Sequence, residues 1–242
     1  MAIFARSRPS RSTRRRSWLR RLFGWALRIL LGFILLSVLM TIVYRFVPPP
    51  VTLTQLGEYT QGHMVTRDWM PLSQIDPDMA RAAIAAEDGN FCAHHGFDFK
   101  AMQQAFEGNE AGKKLRGGST ISQQTAKNVF LWQGRSYLRK GLEAWFTVLI
   151  EHIWGKRRIM EVYLNVAETG LHTYGANAGA QRYFGHDASR LSPVEAARIA
   201  AVLPLPSERQ AIDPHGRVLR YGNRILRRIG IVQRGGYDRC LR

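Results

Sequence analysis

The chain has 242 residues, 45% of them hydrophobic, which suits one packed globular domain with an appendage and excludes a disordered polymer. Lys and Arg number 35 against 18 Asp and Glu, a formal net charge of +17, so an anionic partner is expected: nucleic acid, lipid headgroups or a phosphorylated substrate. Two cysteines, Cys92 and Cys240, are too few for a disulfide scaffold; whether they pair is left open, and no Cys and His spacing suggests zinc.

The charge is concentrated at the front. Arg6, Arg8, Arg11, Arg14, Arg15, Arg16, Arg20 and Arg21 precede an apolar run, and no acidic residue appears before Glu58. Leu22–Val47 is long enough to cross a ~30 Å hydrocarbon core as a helix rising ~1.5 Å per residue. Arg28 and Arg45 lie near its ends, where long side chains reach the headgroups, and Trp25 and Tyr44 suit an interfacial belt. The arginines predict a cytoplasmic N-terminus, with everything after Pro48 outside. They also draw the arm toward lipid rather than nucleic acid. A cleaved signal peptide is the competing reading, but no small-x-small site follows the run. The expected division is a cytoplasmic basic arm (1–21), a transmembrane anchor (22–47), a linker (48–75) and a catalytic domain (76–242).

After Pro48, Pro49 and Pro50, residues 51–75 show mixed alternation and read as a linker or a short strand pair. From there the signals are helical. Asp76 and Pro77 supply an N-cap and first helical position for a helix to Glu87. Ser136 opens an amphipathic segment to Trp154, closed by Gly155, and Ser192, Pro193 and Glu195 form a capping box before AARIAAV. A last basic helix is predicted from about Gly216 to Ile229, and the class is mainly α.

Glu87 ends an alanine-rich, buried-type helix, where the helix dipole and apolar neighbours both disfavour its charge. Such a carboxyl suits general acid–base work on sugar hydroxyls, although position alone fits an exposed helix-end Glu better. Further on, GGSTISQQTAKN (117–128) offers two glycines, Ser119 as a helix cap, and Thr120, Gln124 and Lys127 on one helical stripe, a plausible diphosphate seat. Arg139 and Glu143 are spaced i, i+4, which by itself indicates an intrahelical ion pair.

Taken together, EDGNFCAHHG (87–96) matches the EDxxFxxHxG pattern of the peptidoglycan glycosyltransferases, and GGSTISQQTAKN resembles their second motif. RKGLE (139–143) resembles their RKxxE, and KRRIMEVYLNVAETG, GANAGAQRYFG and LSPVEAARIAAVLPLP continue the likeness over about residues 65–210. In the fourth block Ile159, Val162, Tyr163 and Val166 are spaced as core.

The resemblance implies a lysozyme-like, two-lobed α domain behind a single transmembrane helix, with a smaller lobe around residues 97–118 against the membrane. It implies lipid II as acceptor, the growing lipid-linked glycan as donor, and inverting β-1,4 transfer with release of undecaprenyl diphosphate. Glu87 would be the base and Glu143 the second carboxylate. Substrate contacts would come from Asp88, Phe91, His94, Ser119, Thr120, Gln123, Gln124, Lys127, Asn128, Arg139, Lys140 and Arg182, with a divalent cation, Mg or Mn, optional at the diphosphate and no organic cofactor. His94 is as well explained by a loop-tying role. Membrane lipids and other cell-wall synthesis proteins are the further partners implied. No Ser is followed three residues later by Lys, so the resemblance is to the monofunctional form, without a penicillin-binding transpeptidase. A lysozyme-like hydrolase or lytic transglycosylase is the nearer alternative, and a non-catalytic cell-wall scaffold the more distant one.

Overall fold

The computed structural model describes residues 11–110, 118–134 and 136–242, and the chain divides into a unit ending at Thr41 and a second from Ile42 to Arg242. Helix α1 (Arg11–Phe46) carries the first unit, and its last turn belongs to the second. Trp18–Phe46 is long and apolar enough to cross a membrane. Its large side chains are uncovered, with Phe23 73% and Leu35 70% exposed. Apolar surface in water costs about 25 cal/mol per Å², so the uncovered helix suits a membrane anchor. Residues 1–10 of the basic arm lie outside the described residues.

The second unit is mainly helical, as the sequence predicts. Its helices are α2 (Leu53–Thr60), α3 (Pro77–Glu87), α4 (Phe99–Glu110), α5 (Ile121–Phe130), α6 (Tyr137–Ile153), α7 (Lys156–Val166), α8 (Ala176–Phe184), α9 (Pro193–Val202) and α10 (Gly216–Arg234). The expected caps act where they were read. Asp76 accepts from the Asp78 amide, Ser136 from the Arg139 amide, and Ser192 and Glu195 close a capping box. Helix α5 differs: Thr120, not Ser119, is its cap, and Gln123 completes a capping box with it. Helix α10 also runs beyond Ile229 to Arg234.

Helix α3 packs on α9 and α10, while α5 packs on α6 and α7. Alanines make the first contact close: Ala82, Ala83, Ala196 and Ala200 are fully buried, so backbones approach with little side-chain entropy lost. Tyr44, near the end of α1, lies against Phe130 of α5, its ring tilted and 5.9 Å away between centroids.

Residues 51–75 are neither a linker nor a strand pair. Thr52 and Gln55 form a capping box that starts α2, a local signal that the mixed alternation obscured. Strand β1 (Thr66–Arg67) then pairs in parallel with β3 (Thr173–Tyr174), which pairs antiparallel with β2 (Glu168–Gly170). Strands of two or three residues leave no alternation to read. Helix α4 occupies most of the stretch expected as a smaller lobe; residues 111–117, including Gly117 of the second motif, lie outside the described residues.

The two cysteines are paired. Cys92 and Cys240, 148 residues apart, form a disulfide that fastens the C-terminal segment beside α3. Arg81 supports the same junction, bridging Asp78 at 2.7 Å and Asp238 at 3.0 Å.

Candidate active site

Glu87 is the last residue of α3, and its Oε2 accepts a 2.9 Å hydrogen bond from Gln124 Nε2 on α5. The Tyr163 hydroxyl of α7 lies 3.5 Å from Gln124 Oε1, so three helices fix the orientation of this carboxyl. Burial pushes the Glu87 carboxyl above the usual carboxylate range; Gln124, Arg209 and Lys127 oppose the rise and Asp88 adds to it. A carboxyl of this kind holds its proton more tightly than an exposed one and is suited to proton transfer.

Two cavities meet at Glu87. One, of about 790 Å³, is walled by Glu87, Ser119, Gln124, Tyr221, Arg224 and Arg228 among others. The second, about 400 Å³, runs past Glu87, Asn90, Asp98, Ser119 and Thr120. A third, about 220 Å³, shares Gln124 and Pro204 with the first and holds Lys127, Asn128, Glu58 and Glu168. Glu87 and Gln124 thus stand midway along a string of hollows.

Several residues expected at the substrate are employed in building this wall. Asp88, buried, accepts from His94 Nε2 at 2.9 Å and from the Ile121 amide at 2.9 Å, pinning the loop after α3 to the start of α5. Here the loop-tying role of His94 is the observed one. Phe91 is 0% exposed and cannot touch a ligand; it lies under the Lys156 ammonium, 4.5 Å from its ring centroid. Thr120 and Gln123 are buried in the α5 capping box, and Thr120 Oγ1 donates to the Gly96 carbonyl at 2.6 Å. Gly96 itself has φ +90°, and an added Cβ would lie 2.8 Å from Thr147 Cγ2, so the glycine of the HxG pattern is a packing requirement. These residues hold Gln124, and through it Glu87.

The third motif is also more structural than expected. Glu143, 3% exposed, accepts from Arg139 Nη1 at 2.9 Å and from Lys140 Nζ, so both of its oxygens are occupied. Neither Glu143, Arg139 nor Lys140 is among the lining residues of the three cavities, whereas Lys127 is. Burial lowers the pKa of Lys127; Glu143 pulls it up, and Arg139 and Lys140 lower it further. A carboxylate already held by two cations does not fit a Mg or Mn site. Arg182 stands apart, donating to the Leu171 carbonyl at 2.9 Å and to Thr173 Oγ1 at 2.6 Å, which ties α8 to the β2–β3 turn.

Residues 53–230 match the family described as Transglycosylase. The chain belongs to the transglycosylase family. It is 54% identical over 204 residues to a biosynthetic peptidoglycan transglycosylase of Caulobacter vibrioides, covering 84% of this chain and 89% of the relative. A protein of the same name from Pseudomonas aeruginosa is 48% identical over 230 residues, covering 93% and 98%. One from Xanthomonas campestris is 48% identical over 208 residues, covering 83% and 85%. The match to the transglycosylase family begins at α2, within the segment read from sequence as a linker.

Motif reading of this transglycosylase missed other residues of the site. Tyr221, Arg224 and Arg228 of α10 enter the Glu87 cavity, and Tyr221 also donates to the Ala86 carbonyl at 3.0 Å. Their signal was a basic helix without an assigned partner. Glu168, at the end of a block read as core, faces the Lys127 cavity, and burial raises its pKa. Tyr163 was read as core and is 1% exposed, but its hydroxyl reaches Gln124.

Proposed function

We propose that this transglycosylase polymerises lipid II into linear glycan strands by inverting β-1,4 transfer, with Glu87 as the base. The reaction class, peptidoglycan glycosyl transfer, rests on family membership and the shared name of the relatives. The observation that supports the mechanism is a carboxyl with raised pKa, oriented by Gln124, at the meeting of two cavities that carry basic groups.

In this reading the acceptor's 4-hydroxyl oxygen attacks the donor's anomeric carbon from the face opposite the diphosphate. The new C–O bond forms as the bond to the diphosphate oxygen breaks, and Glu87 takes the hydroxyl proton. The departing oxygen gains negative charge, which Lys127 stabilises directly; Arg139 and Lys140 contribute their field through the cluster around Glu143. Asn128 and Ser119, on cavity walls, are available for hydrogen bonds to sugar or phosphate. The apolar α1 anchors the chain in the bacterial inner membrane with the arm cytoplasmic and the domain outside, which gives access to lipid-linked donor and acceptor; other cell-wall synthesis proteins are the natural neighbours there.

The test is incubation of the purified full chain with lipid II, comparing wild type with Glu87→Gln. The amide keeps the Gln124 contact but cannot take a proton, and loss of a general base costs ~10² to 10⁴ in rate. Polymer from the variant at more than half the wild-type rate would remove Glu87 from its role. Cleavage of preformed glycan without polymerisation of lipid II would instead make the protein a hydrolase or lytic enzyme.

A further inference from the structure

Three side chains that take no part in the reaction above converge beside the smallest cavity. Glu58 is in the last turn of α2, His63 just past its end, and His172 in the turn between β2 and β3. Glu58 Oε2 lies 2.8 Å from His63 Nδ1 and 2.7 Å from His172 Nδ1. The two imidazoles stack with centroids 4.1 Å apart, and one nitrogen or oxygen from each of the three residues falls within 4.8 Å of the others.

Ordinary hydrogen bonding accounts for only half of this arrangement. His63 Nδ1 is hydrogen-bonded to Glu58 Oε2. His172 Nδ1 is buried and close to the same oxygen, yet off the hydrogen-bonding direction, and it makes no hydrogen bond. A buried ring nitrogen left without one is costly, by roughly 1–3 kcal/mol. The backbone nevertheless holds it there. His172 has φ 55°, in the left-handed region, its carbonyl accepts from the Thr66 amide at 2.9 Å, and its amide donates to Glu168 Oε1 at 3.3 Å. The His63 amide is fixed by the Glu58 carbonyl at 3.1 Å. Parallel pairing of β1 with β3 therefore brings together ligands that lie far apart in the chain and show no motif spacing.

We propose that Glu58, His63 and His172 bind a divalent cation of the zinc type. Two imidazole nitrogens and one carboxylate oxygen form a borderline donor set, suited to Zn²⁺ or Co²⁺ and unsuited to Mg²⁺ or Ca²⁺, which take oxygen. Tetrahedral bonds of about 2.0–2.2 Å place donor atoms about 3.3–3.6 Å apart. The Glu58 carboxylate oxygen and the two ring nitrogens, now 2.8 and 2.7 Å from it, must therefore separate by about 0.5–0.9 Å, through small rotations of the half-exposed Glu58 and exposed His63 side chains. Three protein ligands leave a coordination position for water or for a ligand oxygen. Glu58 also lines the cavity of Lys127 and Glu168, so the cation lies at that cavity's rim.

The experiment uses tag-free full chain in detergent, stripped with chelator and titrated with Zn²⁺ alone by calorimetry, and with Co²⁺ alone by visible absorption. The expected result is one equivalent of Zn²⁺ bound, tetrahedral Co²⁺ bands, and a Zn²⁺-dependent rise in Tm. His63→Gln and His172→Asn should each weaken Zn²⁺ at least tenfold, and the double variant should lose the Co²⁺ bands. A hundredfold excess of Mg²⁺ should not displace Zn²⁺. His63→Gln alters only an exposed side chain, so circular dichroism matching the wild type makes its result decisive even if His172→Asn fails to fold. Undiminished Zn²⁺ affinity in His63→Gln, or no stoichiometric binding by wild type, would overturn the proposal. These readouts do not depend on polymerisation.

Discussion

Replacing both half-cystines, as Cys92→Ala with Cys240→Ala, should separate what holds the domain from what performs its chemistry. The bond closes a loop of 148 residues. In the chain-entropy treatment, closing a loop of that order is worth about 5 kcal/mol, and measured losses on removing native disulfides run roughly 2–5 kcal/mol. For a domain of this size each kcal/mol moves Tm by about 2–4 °C, so the variant should melt about 4–20 °C lower. Activity at room temperature should survive within about twofold, because Asp88 fixes the same loop through His94 and the Ile121 amide without help from the sulfurs. Thermal unfolding in detergent by circular dichroism and lipid II polymerisation at 25 °C measure the two halves. A Tm within about 2 °C of wild type would refute the loop-closure argument. Loss of polymerisation by the folded variant would show that the Asp88 contacts do not suffice to hold Glu87 and Gln124.

Glu87 binds its proton more tightly folded than unfolded, so its contribution to stability declines as pH rises from the ordinary carboxylate range through the elevated pKa. Glu87→Gln should therefore gain Tm relative to wild type as pH rises from the ordinary carboxylate range, about pH 4, through the raised pKa, and a constant difference would count against a raised pKa; the wild-type polymerisation rate should climb with pH over the same interval. Lys127→Ala should lower kcat at saturating lipid II about tenfold or more with little change in Tm, whereas Arg139→Ala strips a partner from buried Glu143 and should cost roughly 3–5 kcal/mol of stability. Equal Tm values for those two variants would contradict their separation. Gly96→Ala should destabilise by roughly 1–3 kcal/mol, read as Tm, since its φ and the nearby Thr147 both exclude a methyl group.

What could be read from the sequence was what is decided locally. Asp76, Ser136 and Ser192 announced three helices because a cap acts within one turn. Glu87 stood out because its motif and its helix end coincide. Features set by distant partners were not legible: β1 exists through Thr66 and Arg67 pairing with β3, and the Cys92–Cys240 bond depends on where α10 delivers the C-terminus. The motifs also concealed a division of labour. Phe91 and Gln123 follow the family pattern as strictly as Glu87, yet they are buried, line none of the three cavities and serve as supports. Motif membership alone could not distinguish a residue that meets the sugar from one that braces its neighbour. Arg224 and Arg228 were invisible as site residues because only the packing of α10 on α3 turns them toward Glu87.

That arginine wall has a kinetic consequence. Arg224 and Arg227 face both the Glu87 cavity and a neighbouring hollow that Arg209, Arg217 and Arg220 also line, and no carboxylate is among that hollow's lining residues. In open solution at physiological ionic strength such a field fades within about 8 Å, but a concave protein wall focuses it inward and raises the local density of anions. An anionic substrate of the proposed reaction would be drawn to this wall, which adjoins the Glu87 cavity. Added salt should therefore slow capture first, depressing kcat/KM at concentrations that leave kcat almost untouched, and chain growth at scarce substrate would be the salt-sensitive regime.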